Sequence, residues 1–190
     1  MQLTGSASIT FYSFTLFTYI NQSHPTFNPT TSSVLITTSM IVGQILSIFP
    51  PRYFKRTTII RSGYLMISIC YIFAAISYRA GNPTVMLGCL MMMQVTFIMT
   101  IQSHIWPYVS EIVQDSVLGF CIQFNFVGIL MNTFSAQTLF EVLQPWGVFY
   151  LFACTCMMGF FYAIFVLKET DHLTQEQKKM VYCQKNEMLF

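Results

Sequence analysis

An all-α integral membrane bundle of six transmembrane helices is the fold class this sequence predicts, and three observations predict it. The first is composition: of 190 residues, 54% are hydrophobic and 8% charged, with a mean hydropathy of +0.57. Soluble globular domains carry roughly a quarter charged residues. The second is that the few charges cut the chain into uncharged blocks. Each block is one or two bilayer widths of helix, since a span takes roughly 20 apolar residues. The third is the side of the membrane on which lysine and arginine fall once the helices are counted. A formal charge of +2, with no basic run interleaved with stacking aromatics, argues against nucleic acid as a partner. No paired Asp, Ser/Lys or HExxH arrangement lies within the apolar blocks, so an enzyme is not expected.

The elements follow from the charges in order. Residues 1–51 hold no Lys, Arg, Asp or Glu, and the polar, proline-broken turn 21–31 (NQSHPTFNPTT) divides them into helices over 2–20 and 33–49. A re-entrant or interfacial segment is the alternative for the shorter second run. Arg52, Lys55, Arg56 and Arg61 then come together, and the uncharged run up to Arg79 predicts a helix over 59–78. The next uncharged run, ending at Glu111, predicts 84–109. Those bounded by Asp115, Glu141 and Lys168 predict 117–140 and 147–167. From Lys168 the chain is polar with mixed charge, so it divides into a bundle over 1–167 and a solvated tail over 168–190.

With six spans, eight of the nine cations share one side and only Arg79 lies opposite. The positive-inside rule then predicts that both termini are cytoplasmic. One helix more or fewer would split the two cationic clusters across the membrane, so the same sorting supports the number six. Asn21-Gln22-Ser23 falls on the outer side, either as a glycosylation acceptor or as an ordinary membrane-edge turn. The N-terminus lacks the basic region and cleavage pattern of a secretory signal. Five of the six cysteines sit in apolar stretches, and Cys154 and Cys156, two apart, point to nearly opposite sides of a helix. No cofactor or metal is expected from them.

Residues 102–111 (QSHIWPYVSE) run a long apolar segment into a Trp-Pro pair and stop at a carboxylate. A proline near a helix end removes a backbone donor. At bilayer depth that is tolerated where the loosened backbone faces protein or a water-filled cavity. Two readings fit: a discontinuous helix touching substrate, or Trp106 and Tyr108 anchoring an ordinary helix end at the interface. Further candidates among the polar groups in apolar blocks are Gln2, Tyr12, Gln94, Gln102, His104, Gln123, Asn125, Asn132 and Gln137. Amides are costly in hydrocarbon and should face the bundle interior or a cavity; the plain reading of each is an interhelical hydrogen bond. For His104 the plain reading is a neutral packing histidine, the sharper one a proton relay.

Four stretches resemble, in order and spacing, the second half of the sugar porter family of the major facilitator superfamily. Met1-Gln2-Leu3-Thr4-Gly5 with Phe11-Tyr12-Ser13 is similar to the Gln-Gln-Leu-Ser-Gly and Tyr-Tyr-Ser elements of that family's seventh helix. Arg52-Tyr53-Phe54-Lys55-Arg56 before Gly63 resembles its basic loop between helices eight and nine. Trp106-x-Tyr108-x-Ser110-Glu111 with Gly119 resembles the end of helix ten, and Lys168-Glu169-Thr170-x-x-Leu173-Thr174 the element after helix twelve. The departures are specific. Met1 replaces the first glutamine, Ala7 stands nearest to an expected asparagine, and Pro51 and Phe54 replace the loop's acid and glycine. Gln102, Ser103 and His104 occupy the place of a Gly-Pro, and Leu118 that of an arginine.

The resemblance implies half of a twelve-helix major facilitator fold that moves a sugar or polyol by alternating access. The missing N-terminal six-helix half would come from the same protein or a second chain, with membrane lipid around both. It implies substrate contacts by Gln2, Tyr12 and Trp106, and more loosely Asn132. It also implies an inner gate formed by Arg52, Lys55, Arg56, Glu111 and Glu169. Anchoring of the loop to anionic headgroups accounts equally for the cations. The alternative function is a non-transporting membrane sensor or structural subunit that retains the fold, which the departures favour.

Overall fold

The computed structural model describes residues 2–23, 28–113 and 115–168, and every regular element among them is helical. A short 3₁₀ turn, Gln2–Thr4, leads into α1 (Ser6–Ser23), followed by α2 (Pro29–Leu46), a second 3₁₀ turn (Pro50–Arg52) and α3 (Arg56–Arg79). A long fourth helix, α4 (Pro83–Ile112), comes next. The last stretch, Asp115–Phe165, carries two apolar spans, α5 (Val117–Phe140) and α6 (Val142–Phe165). It breaks near their junction at Gln144, whose φ of 55° and ψ of 162° lie outside the helical region, just ahead of Pro145.

Local chemistry accounts for the boundaries. The expected helix over 2–20 begins instead at Ser6, because Gly5 takes φ 76°, which ends the 3₁₀ turn and re-aims the chain. The α2 start is capped by Asn28, whose side chain accepts the Thr30 N–H at 3.1 Å, with Pro29 in the first helical position. Within α4 the ladder widens into a π-helical turn at Phe97–Gln102, and Ser103 Oγ donates to the Ile98 carbonyl there at 2.9 Å. Widened turns of this kind concentrate at functional sites. Beyond Lys168 the predicted tail, Glu169 included, lies outside the described residues.

Among the described residues, five segments are long and apolar enough to cross a membrane: Pro29–Arg52, Arg56–Arg79, Pro83–Ile112, Val117–Phe140 and Val142–Phe165. The α1 helix has 18 residues but is more polar. Its hydroxyls turn inward: Ser6, Ser8 and Ser13 are buried. They bond respectively to Gln94 Oε1 (2.6 Å), the Asn132 carbonyl (3.3 Å) and Ser33 Oγ (2.7 Å).

The bundle is organised on α3, which runs antiparallel to α4 on one side and to α6 on the other. Arg56 meets Glu111, and Gly63 lies against Thr100 and Ile101 so closely that a Cβ would collide with the Thr100 side chain. Towards α6, Ser68 Oγ donates to the Ala153 carbonyl at 3.0 Å, and Tyr71 stacks on Phe149 with ring centres 6.3 Å apart. At the far end the Arg79 guanidinium sits 5.5 Å from the centre of the Trp146 ring. Small residues at these crossings matter because lipid gives no hydrophobic drive between helices, and close backbone approach must supply the attraction. The α1 helix packs antiparallel to α2 and parallel to α5. Within α5 only Asn132 and Ala136 are buried, while Phe124, Met131 and Phe134 are each more than 70% exposed.

Candidate functional site

A cleft of about 910 Å³ opens between α1, α4 and α5. Its lining recurs at helical spacing: Gln2, Ser6 and Thr10; then Gln102, Trp106 and Ser110; then Leu118, Ile122, Asn125 and Ile129. The second and third sets each lie on one face of a helix, and the first runs from the 3₁₀ turn across Gly5 into α1. Across the cleft floor Gln2 Nε2 donates to Asn125 Oδ1 at 2.7 Å, and Asn132 Nδ2 donates to the Gln2 carbonyl at 2.8 Å. The first of these bonds uses one Gln2 donor and one Asn125 acceptor. An amide carries two of each, so both residues keep donors and acceptors for a ligand. Trp106, half-buried, adds an aromatic face, with Phe97 and Phe126 beside it. Amides that both donate and accept, next to aromatic faces, are the equipment for binding a neutral polyol.

The predicted residues divide accordingly. Gln2 and Trp106 line this cleft together. Asn132 is buried beneath it and holds the Gln2 backbone. Tyr12 lines a separate cavity of about 190 Å³ with Tyr19, Gln137, Phe140 and Pro145, near the α5–α6 junction. Asn125 and Gln102, which no motif marks, also line the cleft, as do Ser6 and Thr10. The four-residue spacing to Trp106 is the signal for Gln102, and Ser6 and Thr10 share that spacing on α1.

Gln94 is fully buried and bonds only within the bundle. It accepts from Ser6 Oγ and donates to Thr10 Oγ1 at 2.5 Å and to the Ser6 carbonyl at 3.3 Å. The Gln94→Leu variant leaves buried hydroxyls without that partner and should lose about 1–2 kcal/mol. A lower thermal unfolding temperature in detergent is the expected result; a wild-type value would show that Gln94 does not tie α1 to α4.

At the cation-rich end Arg56 Nη1 and Glu111 Oε1 form an ion pair at 2.8 Å, with about a quarter of each side chain exposed. Arg52 and Lys55 are exposed beside it. Arg61, not among the predicted gate residues, donates to the carbonyls of Ala163 (3.0 Å) and Leu167 (2.8 Å), closing the last turn of α6. Tyr108 OH reaches the Lys168 carbonyl at 2.8 Å. The ends of α3, α4 and α6 are thereby tied together around the pair. His104, 7% exposed, faces away from the cleft lining, and its Nε2 has no hydrogen-bond partner among the described residues. No group of three His, Cys, Asp or Glu side chains suited to a metal occurs among those residues.

No curated protein and no solved structure is similar enough to the chain to count as a match. The sequence model of the family described as "Sugar (and other) transporter" matches residues 1–182, nearly the whole chain. With apolar membrane-length helices around an amide- and indole-lined cleft, the chain belongs to the sugar (and other) transporter family, the sugar porters of the major facilitator superfamily.

Proposed function

We propose that this chain is the C-terminal six-helix half of a transporter that moves a sugar or polyol by alternating access, with both termini cytoplasmic. In this reading α1 is the sixth crossing: its hydroxyls bond to neighbouring helices, so hydropathy understates its fitness for the bilayer. Residues 1–167 form the bundle and 168–190 a cytoplasmic tail. A six-helix partner half, or a second chain, closes the open side of the cleft against α1 and α5. The observation that carries the reading is the convergence of Gln2, Gln102 and Asn125 with Trp106 on one cleft.

A sugar hydroxyl entering there exchanges with the Gln2–Asn125 bond, so little hydrogen bonding is lost on binding. Trp106 covers the apolar face of the ring. Asn132 positions Gln2 from behind, and Tyr12 acts from its separate cavity towards the opposite end. The Arg56–Glu111 pair, with Arg52 and Lys55 close in the chain and Glu169, which lies outside the described residues, as a further member of the gate, holds the inner side shut and breaks when that side opens.

Hexose and polyol uptake into vesicles bearing the chain with its partner half tests this. Trp106→Ala and Gln2→Ala should each lower uptake about tenfold while leaving the amount of folded protein unchanged. The replacement of the family's Gly-Pro by Gln102, Ser103 and His104 favours the second reading, a sensor or structural subunit. Absence of uptake in every pairing would assign that role.

A further inference from the structure

Between α2 and α3 the chain reads Phe49-Pro50-Pro51-Arg52-Tyr53-Phe54-Lys55. Two prolines stiffen the turn, and the Tyr53 and Phe54 amides both close onto the Pro50 carbonyl, at 3.1 and 3.0 Å. The turn presents Tyr53, 78% exposed, and Phe54, 63% exposed, at one end of the bundle. With Leu46, Phe49, Met66 and Met99 these aromatics line a groove of about 520 Å³ whose floor includes the π-helical turn of α4. That volume lies within the range of ligand sites, roughly 300–1,000 Å³. Arg52 and Lys55 flank the two aromatics in the chain. Both are exposed, and neither forms an ion pair among the described residues, whereas Arg56 beside them holds Glu111.

The elements match the parts of one molecule. Two exposed cations without an ion pair among the described residues suit a phosphate, interfacial aromatics suit the ester level, and an apolar groove suits an acyl chain. We propose that this groove binds one anionic glycerophospholipid, its phosphate against Arg52 and Lys55 and an acyl chain along Met66 and Met99. A soluble phosphate would use the cations and leave the groove empty. A zwitterionic lipid would bring its own ammonium against them. The site stands independently of whether the chain carries sugar.

The test is native mass spectrometry of the full chain in detergent, with phosphatidylglycerol and phosphatidylcholine added in equal amounts. One phosphatidylglycerol should be retained in preference to phosphatidylcholine. Arg52→Gln with Lys55→Gln should weaken its binding roughly twenty- to thirtyfold, at about fivefold per cation. Ser62→Phe, which fills the groove and keeps both cations, should also abolish retention; Met66→Phe is the second groove-filling variant should Ser62→Phe fail to fold. Arg79→Gln, the same charge loss at the other end, should leave binding unchanged. Equal retention of the two lipids, or selectivity that survives the double variant, overturns the proposal. Displacement of the lipid by inorganic phosphate also overturns it and assigns a soluble-anion site.

Discussion

Gly5→Ala should destabilise the chain by about 3 kcal/mol, enough to lose most of the folded protein in detergent. Two costs combine. At φ 76° a side chain is strained whatever space surrounds it. Here, too, there is no space: a Cβ would overlap the Phe152 ring, which is 2% exposed and packed on Tyr71 with ring centres 5.7 Å apart. The ring cannot retreat easily, because Tyr71 is itself fixed by a hydrogen bond from its hydroxyl to the Thr4 carbonyl at 2.8 Å. The turn that Gly5 ends also carries Gln2 into the cleft. Thermal unfolding checks the prediction, and Gly5→Ala with Phe152→Ala should recover the steric share but not the backbone share. A Gly5→Ala protein as stable as wild type would mean that the N-terminal turn is not seated as described.

If the Arg56–Glu111 pair is the proposed gate, Arg56→Glu should open the cation-rich end of the bundle and cut transport thirty- to a hundredfold, corresponding to about 2–3 kcal/mol. The pair is neither fully buried nor fully wet, with a quarter of each side chain exposed. Its loss should therefore cost more than a surface ion pair and less than a buried one. Reversal adds repulsion against Glu111. Ser110 lines the cleft one residue before Glu111 and is exposed in this half alone, so alkylation of a Ser110→Cys variant on a cysteine-free background, assembled with the partner half, reports opening. It should speed up with Arg56→Glu and slow again in the swapped pair Arg56→Glu/Glu111→Arg. If the swap fails to restore protection, the pair is a structural contact and the gate lies elsewhere.

The motif-bearing residues show how far linear information reaches. Gln2 and Trp106, expected on one site from the resemblance alone, do line one cleft, and of the five expected gate residues Arg56 and Glu111 meet. Tyr12, matched equally well by motif, stands in a different cavity. A motif specifies position along a helix, not which neighbour the helix face meets. Counting crossings has the same weakness. Hydropathy sums side chains as if each met lipid, so it scores α1 low even though Ser6, Ser8 and Ser13 are bonded within the bundle.

The sequence by itself determined that the chain is helical and membrane-length, that its cations cluster, and to which family it belongs, because composition, charge spacing and motif order are properties of the linear chain. Only the tertiary structure decided the fate of each polar group. Gln94 ties α1 to α4, Asn132 holds the Gln2 backbone, Asn125 pairs with Gln2, Arg61 closes α6, and Arg52 and Lys55 form no ion pair among the described residues. An amide or a guanidinium takes its role from the partner within about 3 Å. In this bundle the deciding partners of Gln2 and Arg61 lie more than 100 residues away along the chain.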